Sequence, residues 1–132
     1  MKTSFSPKNN PRVIIIQKLY GKFFNKEEQI IFPKHRFKKF IKDVVFGTIE
    51  RDDLIEDEIN NHLGMDLNTR KLDKVFIILI KCAIYEMLYK PNTSLKIIIK
   101  EYLNASNFFI DDKQTKYLNA ILDKISKKIR VK

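Results

Sequence analysis

Leu72-Asp73-Lys74-Val75-Phe76-Ile77-Ile78-Leu79-Ile80-Lys81-Cys82-Ala83-Ile84-Tyr85-Glu86-Met87 is the stretch on which the fold turns. Between Val75 and Ile84 it is apolar almost all round, the pattern of a helix covered by neighbours on several sides. The uninterrupted apolar run, Val75 to Ile80, is six residues long and Lys81 ends it. A membrane span needs about 20. The stretch therefore predicts a central buried helix over about 71–89, capped at Asn68 or Thr69 and closed by Pro91. Cys82 lies inside it and reads as a core thiol, not a nucleophile.

The segments on either side are amphipathic at helical spacing. Asn10 can cap a first helix that opens on Pro11 and runs to about Phe24. Ile15, Ile16, Leu19, Tyr20 and Phe23 share one face of it, and Gln17, Lys18, Gly21 and Lys22 the other. A second helix over about 34–47 carries Phe37, Phe40, Ile41, Val44 and Val45. Gly47 and Thr48 allow a break or kink, after which a third helix carries Leu54, Ile55, Ile59 and Leu63 and stops at Gly64. Beyond Pro91, a helix spans about Ser94 to Phe109. A last one opens with Asp111 and Gln114 at capping-box spacing and buries Leu118, Ile121, Leu122, Ile125 and Ile129. No segment alternates as a strand. The expectation is an all-α fold of six or seven helices in two packed bundles. Residues 1–132 form one domain, with an N-terminal bundle over about 11–64 and a C-terminal one over about 69–130, joined near Gly64–Asn68.

The chain has 132 residues and a formal charge of +10, from 26 Lys and Arg against 16 Asp and Glu. A surplus of that size favours an anionic partner. It comes in blocks: residues 1–42 carry +9, residues 43–73 carry −6, and residues 74–132 carry +7. Two basic ends flank an acidic middle, and a fold that joined the ends would build one basic face. The polar N-terminus lacks the apolar core of a signal peptide. One Cys excludes a disulfide framework within one chain, so a cytoplasmic setting is expected.

Catalytic chemistry finds little support. His35 and His62 lie 27 residues apart, with no partner at metal-ligand spacing. Asp52, Asp53, Glu56, Asp57 and Glu58 crowd one charged run. A solvated helix face is the better reading there than an acid–base pair, which needs a carboxylate in an apolar pocket. No phosphate-cradling Gly-rich loop and no nucleophile elbow occurs. No catalytic residue, metal site or cofactor is expected.

Two constellations suit single-stranded nucleic acid, which is bound by cations on phosphates and by rings or amides on unstacked bases. In the first, Lys2, Lys8, Arg12, Lys18 and Lys22 supply charge, and Phe5 and Tyr20 supply rings. Gln17 lies one turn before Tyr20 and is placed to read a base edge. Spacing alone also fits Tyr20 as a core-edge residue. In the second, Tyr117 sits at the edge of the last helix's buried stripe, beside Lys113, Lys124 and Lys128, with Lys116 and Lys127 beyond. It is either a stacking platform or an aromatic snorkelling on a basic face. Asn119 is on a polar side and could bind a base or cap.

Arg12-x-x-x-x-Gln17-x-Leu19-Tyr20 resembles the opening helix of the NusB family of bacterial transcription antitermination factors. Leu72-Asp73 through Ile80-Lys81-Cys82-Ala83-Ile84-Tyr85-Glu86-Met87 is similar to that family's central helix, which ends in a Tyr-Glu-Leu pattern. Ile99-Lys100-Glu101-Tyr102, with Ala105 and Phe108-Phe109, resembles its next helix. Lys116-Tyr117-Leu118-Asn119-Ala120-Ile121-Leu122-Asp123 resembles its closing motif. Phe46-Gly47 falls where the family has a Gly-Val pair. The motifs run in order from Arg12 to about Ile125.

The resemblance implies an all-helical, non-enzymatic protein of the bacterial cytoplasm. It implies binding to a short single-stranded RNA element, boxA, together with NusE, a small-subunit ribosomal protein. Other Nus factors would link that complex to RNA polymerase and suppress termination, chiefly in ribosomal RNA operons. Carried over by motif, the RNA-binding residues are Arg12, Gln17, Tyr20, Lys116 and Tyr117, with Asn119; the charge pattern adds Lys2, Lys8, Lys22 and Lys113. No membrane is implied, and a homodimer of the free protein stays open. The family's Arg-rich arm is here mostly lysine, which makes point contacts instead of bidentate ones, so RNA binding by this chain alone is expected to be weaker. Tyr117 stands for the usual Phe, Lys100 for Asn and Ala120 for Gly. Some ribosomal RNA cytosine methyltransferases carry a similar domain, but no cofactor loop occurs in these residues. The alternative is a helical scaffold or generic RNA-binding module without boxA specificity.

Overall fold

The computed structural model describes residues 9–64 and 72–130. Among them are six α-helices and no strand, in the order α1 Pro11–Phe24, α2 Lys38–Glu50, α3 Asp52–His62, α4 Lys74–Tyr89, α5 Leu95–Ser106 and α6 Asp112–Ile129. The all-α expectation holds.

Where a local signal sets a helix end, sequence and structure agree. The Asn10 side chain accepts from the backbone N–H of Arg12 and Val13 at 2.9 and 3.3 Å, and Pro11 takes the first helical position. Asp111 and Gln114 form both halves of the capping box that opens α6. Ser94 caps α5 through Ile97 N–H. Gly64 follows α3 with a positive φ of 51°.

Four boundaries differ from expectation. α2 begins at Lys38, not 34, because His35 organises a turn ahead of it. The His35 Nδ1 accepts from the Phe37 N–H at 2.9 Å, and its carbonyl accepts from Lys38 N–H. α2 does not break at Gly47 and Thr48 but runs on to Glu50, leaving Arg51 alone between α2 and α3. α4 begins at Lys74 with Asp73 at its N-cap, and the expected caps Asn68 and Thr69 lie outside the described residues. α5 ends at Ser106, where the hydroxyl donates back to the Leu103 carbonyl at 2.6 Å and meets the Thr115 hydroxyl at 3.2 Å. Four residues also leave their expected stripes: Tyr20, Phe23, Phe37 and Leu54 are exposed.

α4 touches all five other helices. Its Phe76, Leu79, Ile80, Cys82, Ala83, Ile84 and Met87 are buried among Ile15, Ile16, Val44, Val45, Ile55, Ile59, Ile98, Leu118, Leu122 and Ile125. Full burial of each such side chain contributes about 1.5–3 kcal/mol. α1 lies antiparallel to α4, since Arg12 meets Glu86 at one end and Phe23 meets Lys74 at the other. α6 lies parallel to α4, with Tyr117 against Phe76 at the start and Arg130 at the carbonyls of Met87 and Lys90 at the finish.

The polar groups on α4 each have a defined task. Glu86 is fully buried, and its carboxylate accepts from Arg12 Nε at 3.0 Å, from Arg12 Nη2 at 2.6 Å and from the Tyr102 hydroxyl. The Arg12 guanidinium also lies 5.0 Å from the Phe40 ring centroid and 5.5 Å from that of Tyr102. Burial alone would lower the Arg12 pKa, but Glu86 and its neighbours outweigh it and hold the charge more firmly than usual. Burial, then Glu86, pushes the Tyr102 phenol well above its ordinary range. Lys81, which interrupts the apolar run, places its ammonium 2.7 Å from both Asp52 and Glu56. Two carboxylates expected on a solvated face thus tie α3 to α4. The Arg130 guanidinium donates to the Met87, Lys90 and Thr93 carbonyls at 2.7–2.9 Å, tying the end of α6 to the last turn of α4 and the loop after it. Cys82 is buried, and burial raises its thiol pKa, as a core thiol requires.

Gly47 is set by α4. A Cβ there would lie 2.2 Å from the Tyr85 ring, inside any real contact distance. Gly47 lets the Tyr85 ring pass across α2, where its hydroxyl lies 3.4 Å from Asp43.

Three outcomes are expected. Arg12→Met leaves the Glu86 carboxylate buried without its cation and should destabilise the fold by about 3–5 kcal/mol in urea denaturation; a loss below about 1 kcal/mol would contradict this account. Gly47→Ala should cost about 1–3 kcal/mol through overpacking, and much less in a Tyr85→Leu background, as a double-mutant cycle would show. The Lys81 pKa lies above its ordinary value of 10.5, because its bonds to Asp52 and Glu56 outweigh burial, which acts the other way. The clamp's contribution is therefore complete below the unfolded pKa and fades as pH rises through the raised one. The stability gap between wild type and Lys81→Met should narrow only above that ordinary value.

Candidate nucleic-acid interface

The buried face of α1 stops at Leu19. Past it, Tyr20, Phe23 and Phe24 are 41%, 41% and 65% exposed. Phe24 packs edge-on to both neighbours, with ring centroids 4.9 Å from Tyr20 and 5.1 Å from Phe23. Three exposed rings in one turn and a half form an apolar patch that solvation of a helix end does not require. Gln17 is exposed on the same face, one turn before Tyr20.

The start of α4 joins this patch to α6. Lys74 holds its ammonium 4.5 Å from the Phe23 ring centroid. Two residues on, Phe76 is buried and stacks against Tyr117 with centroids 5.5 Å apart and an interplanar angle of 24°. Tyr117 is still 43% exposed, so a flat ligand added to it would extend a stack already begun. The capping box fixes the first turn of α6, and the Gln114 amide reaches the Asp73 carboxylate at 3.5 Å, pinning that turn to the start of α4. Lys113 and Lys116 are exposed beside Tyr117.

Tyr20 and Tyr117, 97 residues apart, thus flank the same end of α4. Other candidates lie elsewhere. Arg12 is at the opposite end, its guanidinium committed to Glu86 and with its side chain only 12% exposed, so it is not the free surface cation that its charge suggested. The Lys22 ammonium donates to the Glu28 carbonyl at 2.7 Å and closes the loop after α1. Asn119 is exposed but faces a groove against α5 that includes Lys100 and Asn104, away from Tyr117. Lys2 and Lys8 fall outside the described residues. Sequence reasoning missed Phe23, Phe24 and Lys74. The doubled Phe at the last turn of α1 was the available signal, because a stripe of this width needs no second ring there.

Among the described residues no group of three His, Cys, Asp or Glu could hold a metal ion. His62 pairs with Glu58 at 2.9 Å. No helix among them is long and apolar enough to cross a membrane.

Residues 9–127 match the model of the NusB family. The transcription antitermination protein NusB of Coxiella burnetii is 31% identical over 132 residues, covering 93% of this chain and 94% of its own. That of Rickettsia bellii is 34% identical over 90 residues, covering 68% of this chain and 55% of its own. That of Enterococcus faecalis is 30% identical over 86 residues, covering 65% and 56%. The chain thus spans about half the length of the last two and nearly all of the first. The solved structure of T. maritima NusB shares the fold, with a TM-score of 0.78 at 23% identity over 97% of this chain and 94% of that one.

Proposed function

The chain belongs to the NusB family of transcription antitermination factors, and from that premise we propose that it binds boxA-type single-stranded RNA together with NusE and suppresses termination in ribosomal RNA operons. It acts in the bacterial cytoplasm as a binding protein, not an enzyme, and reaches RNA polymerase through other Nus factors. The observation that carries the RNA reading is the aromatic and cationic end of α4, where Tyr20, Phe23, Phe24 and Tyr117 are exposed next to Lys74, Lys113 and Lys116. Rings bind unstacked bases whatever their identity, while amide and amine groups at their edges add selectivity and charge. Gln17 would read a base edge beside Tyr20. Lys2, Lys8, Lys113 and Lys116 would contact phosphates, while Lys22 closes the loop after α1. Arg12 enters as a positioning residue, which holds α1 in place through Glu86. Asn119 would contact RNA only where the strand rounds α6.

Tyr20→Ala and Tyr117→Ala should each weaken binding to a boxA-type RNA by about 1–3 kcal/mol in fluorescence anisotropy, with helical circular dichroism unchanged. Lys113→Gln and Lys116→Gln should each lower the salt slope of log K by about 0.7. A scrambled RNA should bind more weakly, and NusE should widen that gap. Equal binding to both RNAs, insensitive to NusE and to both tyrosines, would leave a helical scaffold or generic RNA binder in place of this reading.

A further inference from the structure

A second basic surface lies on α2 and the segment just ahead of it, outside the residues assigned above. Lys34, Arg36, Lys38, Lys39 and Lys42 fall within nine consecutive residues that contain no acidic group. All five are exposed, and among the described residues none of the four lysines has an ion-pair partner. Lys38, Lys39 and Lys42 line an open groove of about 730 Å³ between α2 and α4 that also takes in Arg51 and Tyr85. Of its two carboxylates, Asp43 is already paired with Lys90, which leaves Glu50. Uncompensated like charges at this density repel one another, and a polyanion in the groove relieves that repulsion.

The chain's own course indicates which polyanion. The His35 Nε2 lies 2.7 Å from the Asn9 carbonyl, and with Nδ1 accepting from Phe37 N–H, the ring proton sits on Nε2 and is donated to Asn9. His35 therefore fastens the root of the N-terminal arm beside the α2 lysines. The arm carries Lys2 and Lys8, which the RNA reading already uses.

We propose that Lys38, Lys39 and Lys42 form a phosphate track for the flank of the bound RNA, leading from the turn where His35 holds Asn9 into the α2–α4 groove. The proposal rests on the RNA-binding reading above. Ammonium groups act as point charges on phosphates, so the track adds affinity and length without base selectivity.

The test compares the full chain with the variant Lys38→Gln/Lys39→Gln/Lys42→Gln on two probes. One is a minimal boxA-type RNA, and the other is the same RNA with oligouridine tails at both ends. The wild type should bind the tailed RNA about tenfold more tightly at low salt, with a steeper salt slope. The variant should lose that gain, with a slope on the tailed RNA lower by about 2, at about 0.7 per lost contact on single strands. It should bind the minimal RNA as the wild type does, and Lys38→Arg/Lys39→Arg/Lys42→Arg should keep the gain. A tail gain that is absent in the wild type, or undiminished in the glutamine variant, overturns the proposal; the second result is also expected if the groove serves an acidic protein segment. The same pair of measurements on a scrambled core separates the two readings. Loss of core discrimination refutes boxA specificity, while the tail gain on either core still decides the track.

Discussion

A carboxylate with no access to water sits near the end of the central helix, and much of the molecule is arranged around it. Glu86 is fully buried, and an ionised group there is tolerated only when its oxygens are met by strong donors. Two N–H groups on one edge of the Arg12 guanidinium and the Tyr102 hydroxyl meet them, so α1, α4 and α5 converge on one point. The consequence reaches the far end of the molecule. A helix is a rigid rod rising about 1.5 Å per residue, so fixing Arg12 also fixes Tyr20 about 12 Å further along. The antiparallel course of α1 carries its exposed rings to the start of α4. The parallel course of α6, held at its finish by Arg130 and at its start by the Phe76–Tyr117 stack, brings Tyr117 to the same end.

How much of this was legible in the sequence depended on how local the deciding interaction was. α1 and α6 start where Asn10 and Asp111 said they would, because a cap acts within four residues. The nearly all-round apolar character of residues 75–84 correctly marked the helix that every other helix touches. Gly47 read as a break, because its partner Tyr85 is 38 residues away. A helix interior that contains Gly is weak by local propensity, and the passage of a ring across it reverses that reading. Arg12 read as one more surface cation, because Glu86 lies 74 residues away and nothing in the spacing pairs them. The candidate site followed the same rule. Tyr20 and Tyr117 could be singled out as edge aromatics on their own helices. That Lys74 and Phe76 would bridge them depended on helix direction, which periodicity does not encode.

The block pattern of charge has a structural reading as well. The acidic middle is not a uniform solvated face, since Asp52 and Glu56 grip Lys81 and Glu58 pairs with His62. The lysines of α2, by contrast, have no ion-pair partner among the described residues, and His35 just ahead of them holds Asn9. Internal pairing absorbs part of the negative charge, and much of the positive charge stays available at the surface. That is the distribution a nucleic-acid-binding protein needs for steering and for phosphate contact.

A buried ion pair at one end of α4 thus positions the exposed aromatic end that is the proposed RNA surface. The most direct measurement is a chemical-shift map of the isotopically labelled chain titrated with a boxA-type RNA, following backbone amides and the Arg12 Nε–H resonance together. The account predicts large shifts at Tyr20, Phe23, Phe24, Lys74 and Tyr117, with the Arg12 Nε–H signal slow to exchange and unmoved. Shifts concentrated on the α5–α6 groove around Asn119, or an Arg12 signal that moves with RNA while Tyr20 and Tyr117 stay still, would contradict it.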